Sequence, residues 1–386
     1  MKIVVAGTRG IPGIQGGVET HCEELYPRIA SLGHTVTVIR RSCYLTERRK
    51  KHPVHTDAKG KKWQTYKGVR LLDVFAPRRK SIEAIFHTFL AVLQAKRLRP
   101  DVLHIHAIGP SLMVPLARML GMKVVTTNHG PDYDRGKWGG LAKKVLRLGE
   151  KWGAKRSNEV IVISKVIADI LASNYGRVDT HLIYNGVPEP SKSSRTDYIE
   201  SLGLTPRRYV MALGRFVPEK NFQLLIRAWK ASGLSEKGYR LVIAGAADHE
   251  DEFSRSLKRE AIEEDVVLTG FIKGESLSQL LTHGSLFVLP SSHEGLPISL
   301  LEAMSYGLDV LVSDIPANKI AQLSSDDFFH LDVTSSAAEQ SNITRLCEGL
   351  VRKLEARNVS RTYDLTPYNW DHIAQQTLQV YASLLD

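Results

Sequence analysis

The chain has little cysteine. Cys22, Cys43 and Cys347 are the only three in 386 residues, and no two have a paired spacing. That argues against both a disulfide framework and a zinc site. Long apolar runs are missing too. None approaches the ~18 residues of a spanning helix, and Met1-Lys2 leads straight into a strand, so neither a membrane span nor a signal peptide is expected. No nucleic-acid module appears, and the basic residues are not interleaved with aromatics along a strand, so no nucleic-acid partner is expected. These absences describe a cytoplasmic protein.

What is present is size, glycine and positive charge. A chain of 386 residues exceeds one compact core, so two domains are expected. The net charge is 52 − 41 = +11. It is concentrated between Arg40 and Lys80, where 14 Lys/Arg face Glu47, Asp57 and Asp73, an excess of 14 − 3 = 11. A solvated basic loop and a surface for anionic lipid or a pyrophosphate-linked acceptor are equally good readings of that stretch. The second would hold the protein at the inner face of the cell membrane.

An apolar strand followed by a glycine turn and a helix recurs along the chain. Lys2–Ala6 is such a strand, followed by Gly7-Thr8-Arg9-Gly10-Ile11-Pro12-Gly13-Ile14-Gln15-Gly16-Gly17, a natural phosphate-cradling loop that lacks the Gly-x-Gly-x-x-Gly spacing. A helix from about Val18 to Leu32 and a strand over Thr35–Ile39 complete a β-α-β unit. Arg40-Arg41, at the end of that strand, could take the 2′-phosphate of NADP, which makes an NADP-dependent oxidoreductase the best alternative for the first 45 residues. A helix capped by Ser81 should bury Ile82, Ile85, Phe86, Phe89, Leu90 and Leu93. Strands over 101–106 and 123–127 end in or just before His106 and His129. Glu159–Ser164 is a fifth, and the polar segment 189–197 reads as a linker.

The second half repeats the rhythm with strands over 209–213, 240–244, 266–272, 285–289, 309–312 and 328–331. Arg215 and Lys220 flank one strand-to-helix turn, where a fork and a point charge suit a pyrophosphate. Glu294 lies in the loop before the helix that Pro297 opens, and Glu302 lies about one and a half turns into it. Free amides around Leu296–Ser299 would favour a phosphate. Taken alone, two such glutamates are ordinary solvated acids.

In their setting they are more. Pro290-Ser-x-x-Glu294-Gly-x-Pro297 with Glu302-Ala-Met-x-x-Gly307 resembles the Glu-x7-Glu motif of retaining nucleotide-sugar glycosyltransferases of family 4, which have the GT-B fold. Gly16-Gly17-Val18-Glu19 resembles that family's Gly-Gly-x-Glu turn, Gly214-Arg215 with Glu219-Lys220-Asn221 its phosphate clamp, and Thr127-x-His129 a sugar-facing position. Gly7 to Pro12 and the segment after His129 are similar to a subgroup that includes rhamnosyltransferases of surface-polysaccharide assembly. The resemblance spans nearly the whole chain.

It implies an α/β GT-B fold of two Rossmann-like domains facing a cleft. Residues 1–188 would form the acceptor side and 189–367 the donor side, with a C-terminal helix (368–386) returning to the first. It further implies that His129, Glu294, Arg215 and Lys220 serve catalysis. Gly16, Gly17, Ile272, Leu296, Pro297, Ile298 and Glu302 would contact the nucleotide, and His106, Asp132, Asp134 and Arg135 the acceptor. The donor would be a dTDP-, UDP- or GDP-sugar and the acceptor a glycan or polyprenyl-pyrophosphate-linked glycan. No metal is expected, because the one Asp-x-Asp, Asp132-Tyr133-Asp134, sits in the acceptor loop. A GT-B protein that binds sugar nucleotides without turnover is a further alternative.

Overall fold

A computed structural model describes residues 1–44, 54–56, 62–77, 83–131, 133, 140–247, 250–320, 322–334, 336–356 and 360–385. The chain divides into two compact units, Met1–Gly186 with Pro367–Asp386, and Val187–Thr366. Each is built on one sheet wrapped in helices, mainly parallel in the first unit and wholly parallel in the second.

In the first unit the strands are β1 (Lys2–Ala6), β2 (Thr35–Arg41), β3 (Val54–Thr56), β4 (Lys62–Tyr66), β5 (Val69–Val74), β6 (Val102–His106), β7 (Val124–Asn128), β8 (Glu159–Val162) and β9 (His181–Leu182). Their order is β3-β4-β5-β2-β1-β6-β7-β8-β9. All neighbours run parallel except the β3–β4 and β4–β5 pairs. Strands β1 and β6 are covered on both faces; β1 is an almost unbroken apolar run, as buried parallel strands are, while β6 (Val-Leu-His-Ile-His) also buries two histidines. One face packs on α1 (Gly17–Ser31) and the other on α2 (Glu83–Leu98).

Helix α2 turns a different face inward from the one its large apolar residues suggest. Phe86 and Phe89 are exposed, while Glu83, His87, Thr88, Ala91, Val92 and Ala95 are buried. Small residues at 91 and 95 let the helix lie close on the sheet, and Glu83 goes inside because Arg41 meets it at 2.8 Å. Ser81 and Ile82 lie outside the described residues. The last helix of the chain, α12 (Trp370–Ala382), belongs to this first unit and packs on α1. Its first residue fits against Gly186 so closely that a Cβ there would stand 2.5 Å from the Trp370 ring.

The second unit's sheet is parallel throughout, in the order β12-β11-β10-β13-β14-β15. Its strands are β10 (Tyr209–Leu213), β11 (Arg240–Ala244), β12 (Val267–Gly270), β13 (Leu286–Leu289), β14 (Asp309–Ser313) and β15 (Phe328–Phe329). Order runs outward both ways from the β10–β13 pair, so β10 and β13 form the switch point beside which open α/β sheets bind ligands. No helix among the described residues is long and apolar enough to cross a membrane.

An internal ion cluster ties α11 (Glu339–Glu355) to this sheet. Lys353 Nζ lies 2.9 Å from Asp309 and 2.6 Å from Asp327, and Arg361 reaches the same carboxylates at 2.9 and 2.5 Å. Burial alone would raise the Asp327 carboxyl, but hydrogen bonds from Arg361 and Lys353 hold it down at about 2. Removing one member leaves buried charge uncompensated. Lys353→Met is expected to cost about 3–5 kcal/mol of stability by urea unfolding. A loss under about 1 kcal/mol would show that Arg361 alone suffices.

Candidate active site

In the second unit the loops after β10 and β13 are stitched together. Asn221 adopts a left-handed conformation (φ 51°), closing the turn Pro218–Lys220 and opening α7 (Phe222–Ser232). Its side-chain amide donates to Pro290 O at 2.9 Å, and Ser292 N donates to Glu219 O at 2.9 Å. Between these two bonds the Lys220 ammonium meets Glu294 Oε1 at 2.6 Å, both side chains being largely buried. The lysine stem runs against Gly214, where a Cβ would stand only 3.2 Å from Lys220 Cε. Glycine at 214 therefore clears its path. Arg215 is half-buried on the same loop.

The helix after this loop, α10 (Ile298–Ser305), starts behind Pro297, with Leu296, Pro297 and Ile298 buried. Its first-turn amides at Ile298 and Ser299 are donors that the helix cannot itself satisfy. Glu302 lies further along, on the wall of a cavity of about 310 Å³ shared with Pro188, Gly274, Ser278 and Tyr306. That volume is at the lower end of the ligand-pocket range. Glu294 and Lys220 do not line it. Ile272 is half-buried between β12 and α9 (Glu275–His283). The two acids of the Glu-x7-Glu spacing thus occupy two separate spots, one paired with a cation and one beside a cavity.

In the first unit Gly16 has φ 150°, and a Cβ there would stand 2.1 Å from the Glu19 carboxylate. Glu19 is buried and accepts from the Arg9 amide at 3.0 Å and the Thr8 hydroxyl at 3.3 Å. It holds the glycine loop onto α1 and uses one of the loop's own amides. Gly17 begins α1. Asp132, Asp134 and Arg135 lie outside the described residues. The loop before them is fixed by buried Glu150, which accepts from Asn128 Nδ2 at 3.2 Å and from the hydroxyls of Tyr133 and Tyr175 at 3.0 and 2.9 Å.

His106 and His129 come together because β6 and β7 are neighbours with His106 opposite Thr127. His106 Nδ1 and His129 Nε2 are 3.0 Å apart. Residues that sequence reasoning passed over complete the group. His104 lies two positions before His106, hence on the same sheet face. Its Nδ1 meets the hydroxyls of Tyr381 (2.6 Å) and Tyr26 (3.0 Å), and its Nε2 meets Thr127 Oγ1 (2.7 Å). Tyr26 also touches His106 Nε2 at 2.5 Å, and His21 bonds Asn185 at 2.9 Å beneath Trp370. The alternation His104-x-His106 was the available signal for one of these. His21, Tyr26 and Tyr381 have none, since they arrive on α1 and α12.

Burial lowers all four imidazoles. His21 falls to about 4, its Asn185 hydrogen bond opposing the shift, and His104 to about 3. His106 and His129 lie well below the ordinary value, with neighbouring histidines adding to the effect. Neutral rings can accept or donate a hydrogen bond to a sugar hydroxyl.

Arg40 and Arg41 are not available for a 2′-phosphate. Strand β2 runs through them, Arg40 is paired with Asp73 at 2.6 Å and Arg41 with Glu83. Both guanidiniums are buried. This removes the observation that favoured the oxidoreductase, and two charges from the basic stretch.

Residues 15–189 match the family described as Glycosyltransferase Family 4, and 194–348 match Glycosyl transferases group 1. The chain is a glycosyltransferase of the group 1, family 4 type. An uncharacterized glycosyltransferase of Methanocaldococcus jannaschii is 25% identical, covering 99% of this chain and 98% of its own. The GDP-mannose:cellobiosyl-diphosphopolyprenol alpha-mannosyltransferase of Xanthomonas oryzae pv. oryzae is 24% identical over 76% and 77%. Among solved structures, sucrose-phosphate synthase of Thermosynechococcus elongatus superposes with TM-score 0.73 at 18% identity, over 100% of this chain and 99% of that one. Anabaena HepE in complex with UDP and glucose gives 0.70 at 16%, over 99% and 100%. These likenesses establish the two-domain GT-B-like architecture of this glycosyltransferase.

The lowered histidines make its stability depend on pH. Their folded pKa lies below the unfolded 6.5, so the unfolded chain binds extra protons between about pH 6.5 and 4. Stability therefore falls as pH drops through that window, by at most ~1.4 kcal/mol per pH unit for each ring. Urea unfolding from pH 7 to 4.5 is expected to show this slope, shallower in His104→Gln. A flat profile would mean that the rings are solvated.

Proposed function

We propose that the protein is a retaining glycosyltransferase that moves a hexosyl or deoxyhexosyl group from a nucleoside-diphosphate sugar to a hydroxyl of a glycan or polyprenyl-pyrophosphate-linked glycan. The observation that carries this reading is the Lys220–Glu294 pair, held between two loops at the switch point beside Arg215. In the resting protein Glu294 neutralises the ammonium. A pyrophosphate arriving at Arg215 and Lys220 would take over that counter-charge role and free Glu294 for the sugar's hydroxyls.

The steps follow from charge. When the bond from the anomeric carbon to the phosphate oxygen breaks, negative charge grows on the leaving diphosphate. Arg215, Lys220 and the Ile298 and Ser299 amides are preorganised donors for it, worth a few kcal/mol each. Glu302 and the cavity beside it would hold the ribose side of the nucleotide, with Ile272 near the base. His129 would meet the transferred sugar, and His106 would orient it through the 3.0 Å contact.

The relatives support a diphosphate-linked donor and a lipid-linked acceptor: GDP-mannose and cellobiosyl-diphosphopolyprenol are named for the Xanthomonas oryzae enzyme, UDP and glucose for the HepE complex. Among dTDP-, UDP- and GDP-linked sugars, a rhamnosyl donor fits the subgroup resemblance of Gly7 to Pro12. A polyprenyl-linked acceptor would bring the basic stretch to the membrane surface as a peripheral contact.

Transfer assays over UDP-, GDP- and dTDP-sugars test the reading. Arg215→Ala or Lys220→Ala should lower kcat/KM by roughly 10²-fold, and wild-type kinetics in both would overturn the clamp. Glu302→Gln should weaken the free nucleoside diphosphate in calorimetry. Glu294→Gln should not weaken that affinity, and should raise it by freeing Lys220 for the pyrophosphate, while transfer collapses, because a carboxylate that accepts from sugar hydroxyls contributes only when the sugar is there. Equal weakening of free nucleotide by both would refute this division.

A further inference from the structure

Three imidazole nitrogens in the first unit converge on one point. His21, His106 and His129 each offer a ring nitrogen, and these atoms lie within 4.8 Å of one another. The ring centres are 5.0 to 5.4 Å apart. Hydrogen bonds on the outer side decide which atoms carry lone pairs.

Asn185 Oδ1 sits 2.9 Å from His21 Nδ1. An amide oxygen only accepts, so the ring's proton is on Nδ1 and the lone pair on Nε2. That Nε2 is buried and meets no hydrogen-bond partner among the described residues. On His106 the Tyr26 hydroxyl stands 2.5 Å from Nε2 and can accept its proton, leaving Nδ1 as the lone-pair atom. His129 Nε2 lies 3.0 Å from that Nδ1 and donates its proton to it in the metal-free protein, while His129 Nδ1 is buried with no partner among the described residues, so the His129 proton must pass to Nδ1 for Nε2 to bind. Two of the three rings thus have a fixed partner for the N–H opposite their inward nitrogen, the pattern by which proteins orient metal-bound histidines.

We propose that His21 Nε2, His106 Nδ1 and His129 Nε2 bind one divalent late-transition-metal ion, zinc being the best fit, with a fourth position open. Three neutral imidazoles and no carboxylate suit Zn²⁺, Co²⁺, Ni²⁺ or Cu²⁺ and discriminate against Mg²⁺ and Ca²⁺. Bonds of about 2.1 Å in a tetrahedron place the nitrogens about 3.4 Å apart. The widest pair must therefore close by at most about 1.4 Å, within reach of ring rotation. Each ring keeps one proton, that of His129 moving from Nε2 to Nδ1, so binding releases none. The ion occupies the nitrogens that face the sugar in the proposed reaction, so it acts as an inhibitor. The binding is independent of that reaction; the inhibition rests on it.

The experiment is equilibrium dialysis of the full-length protein against ZnCl₂, with metal analysis, in a Cys43→Ser, Cys347→Ser background that removes the two partly exposed thiols. CoCl₂ supplies a visible spectrum of the site. Expected are one Zn²⁺ per chain, tetrahedral Co²⁺ bands, and no competition from excess MgCl₂. His21→Gln should weaken Zn²⁺ at least ~10-fold. Asn185→Ala should do so by about 10-fold, because it frees the His21 tautomer while removing no ligand. Less than one equivalent at about 100 µM Zn²⁺, or unchanged affinity in both variants, overturns the site. In the transfer assay ZnCl₂ should inhibit and EDTA should leave activity intact. Stoichiometric binding without inhibition would uphold the site and overturn the sugar contact of His129.

Discussion

The second unit depends on the charge balance between Lys220 and Glu294. Two opposite charges 2.6 Å apart, each mostly withdrawn from water, hold one another in place, and loss of either strands the other. Everything around the pair serves its geometry: the left-handed Asn221, the cross-loop bonds to Pro290 and Glu219, and the missing Cβ at Gly214. A buried pair of this kind contributes little net stability. In the proposed reaction its value lies in presetting a cation for the leaving diphosphate and a carboxylate for the sugar's hydroxyls.

The first unit meets the same constraint with neutral groups. At the carboxyl ends of β6 and β7 four histidines, two tyrosines and Asn185 fill a space that an apolar sheet would close with leucine or valine. Each buried polar atom then needs a partner, and the partners come from far along the chain, Tyr26 from α1 and Tyr381 from α12. The C-terminal helix is thus part of the first unit's polar core as well as of its packing. The two nitrogens left over, His21 Nε2 and His129 Nδ1, are where the network is open.

The basic stretch shows how charge in a sequence differs from charge on a surface. Arg40 and Arg41 count toward the +11 but lie inside, each matched by a carboxylate, Asp73 from the adjacent strand and Glu83 from α2. Guanidinium forks tolerate such burial when carboxylates face them.

Most of the strands were legible in the residues alone, though β3, β4, β5 and β9 fall in segments that gave no strand. Lys2–Ala6, Tyr209–Leu213 and Arg240–Ala244 are short apolar runs closed by glycine or a polar turn, and a parallel strand covered on both faces has that signature wherever it occurs. The helix start at Pro297 was readable for the same reason, since helix entry is decided within a few residues. The burial of α2 was not. Phe86 and Phe89 outweigh Ala91 and Ala95 in hydrophobicity, yet Glu83 turns inward because Arg41 meets it from β2. Nor could the chain order pair Lys220 with Glu294, 74 residues on, or His104 with Tyr381, 277 residues on. By itself the sequence determined most of the segments that form parallel strands, where their loops carry glycine and charge, and that two such domains follow one another. Only the tertiary structure decided which charges and imidazoles meet, because a buried polar group takes its partner from whichever strand or helix packs beside it, and that neighbour is set by the sheet order.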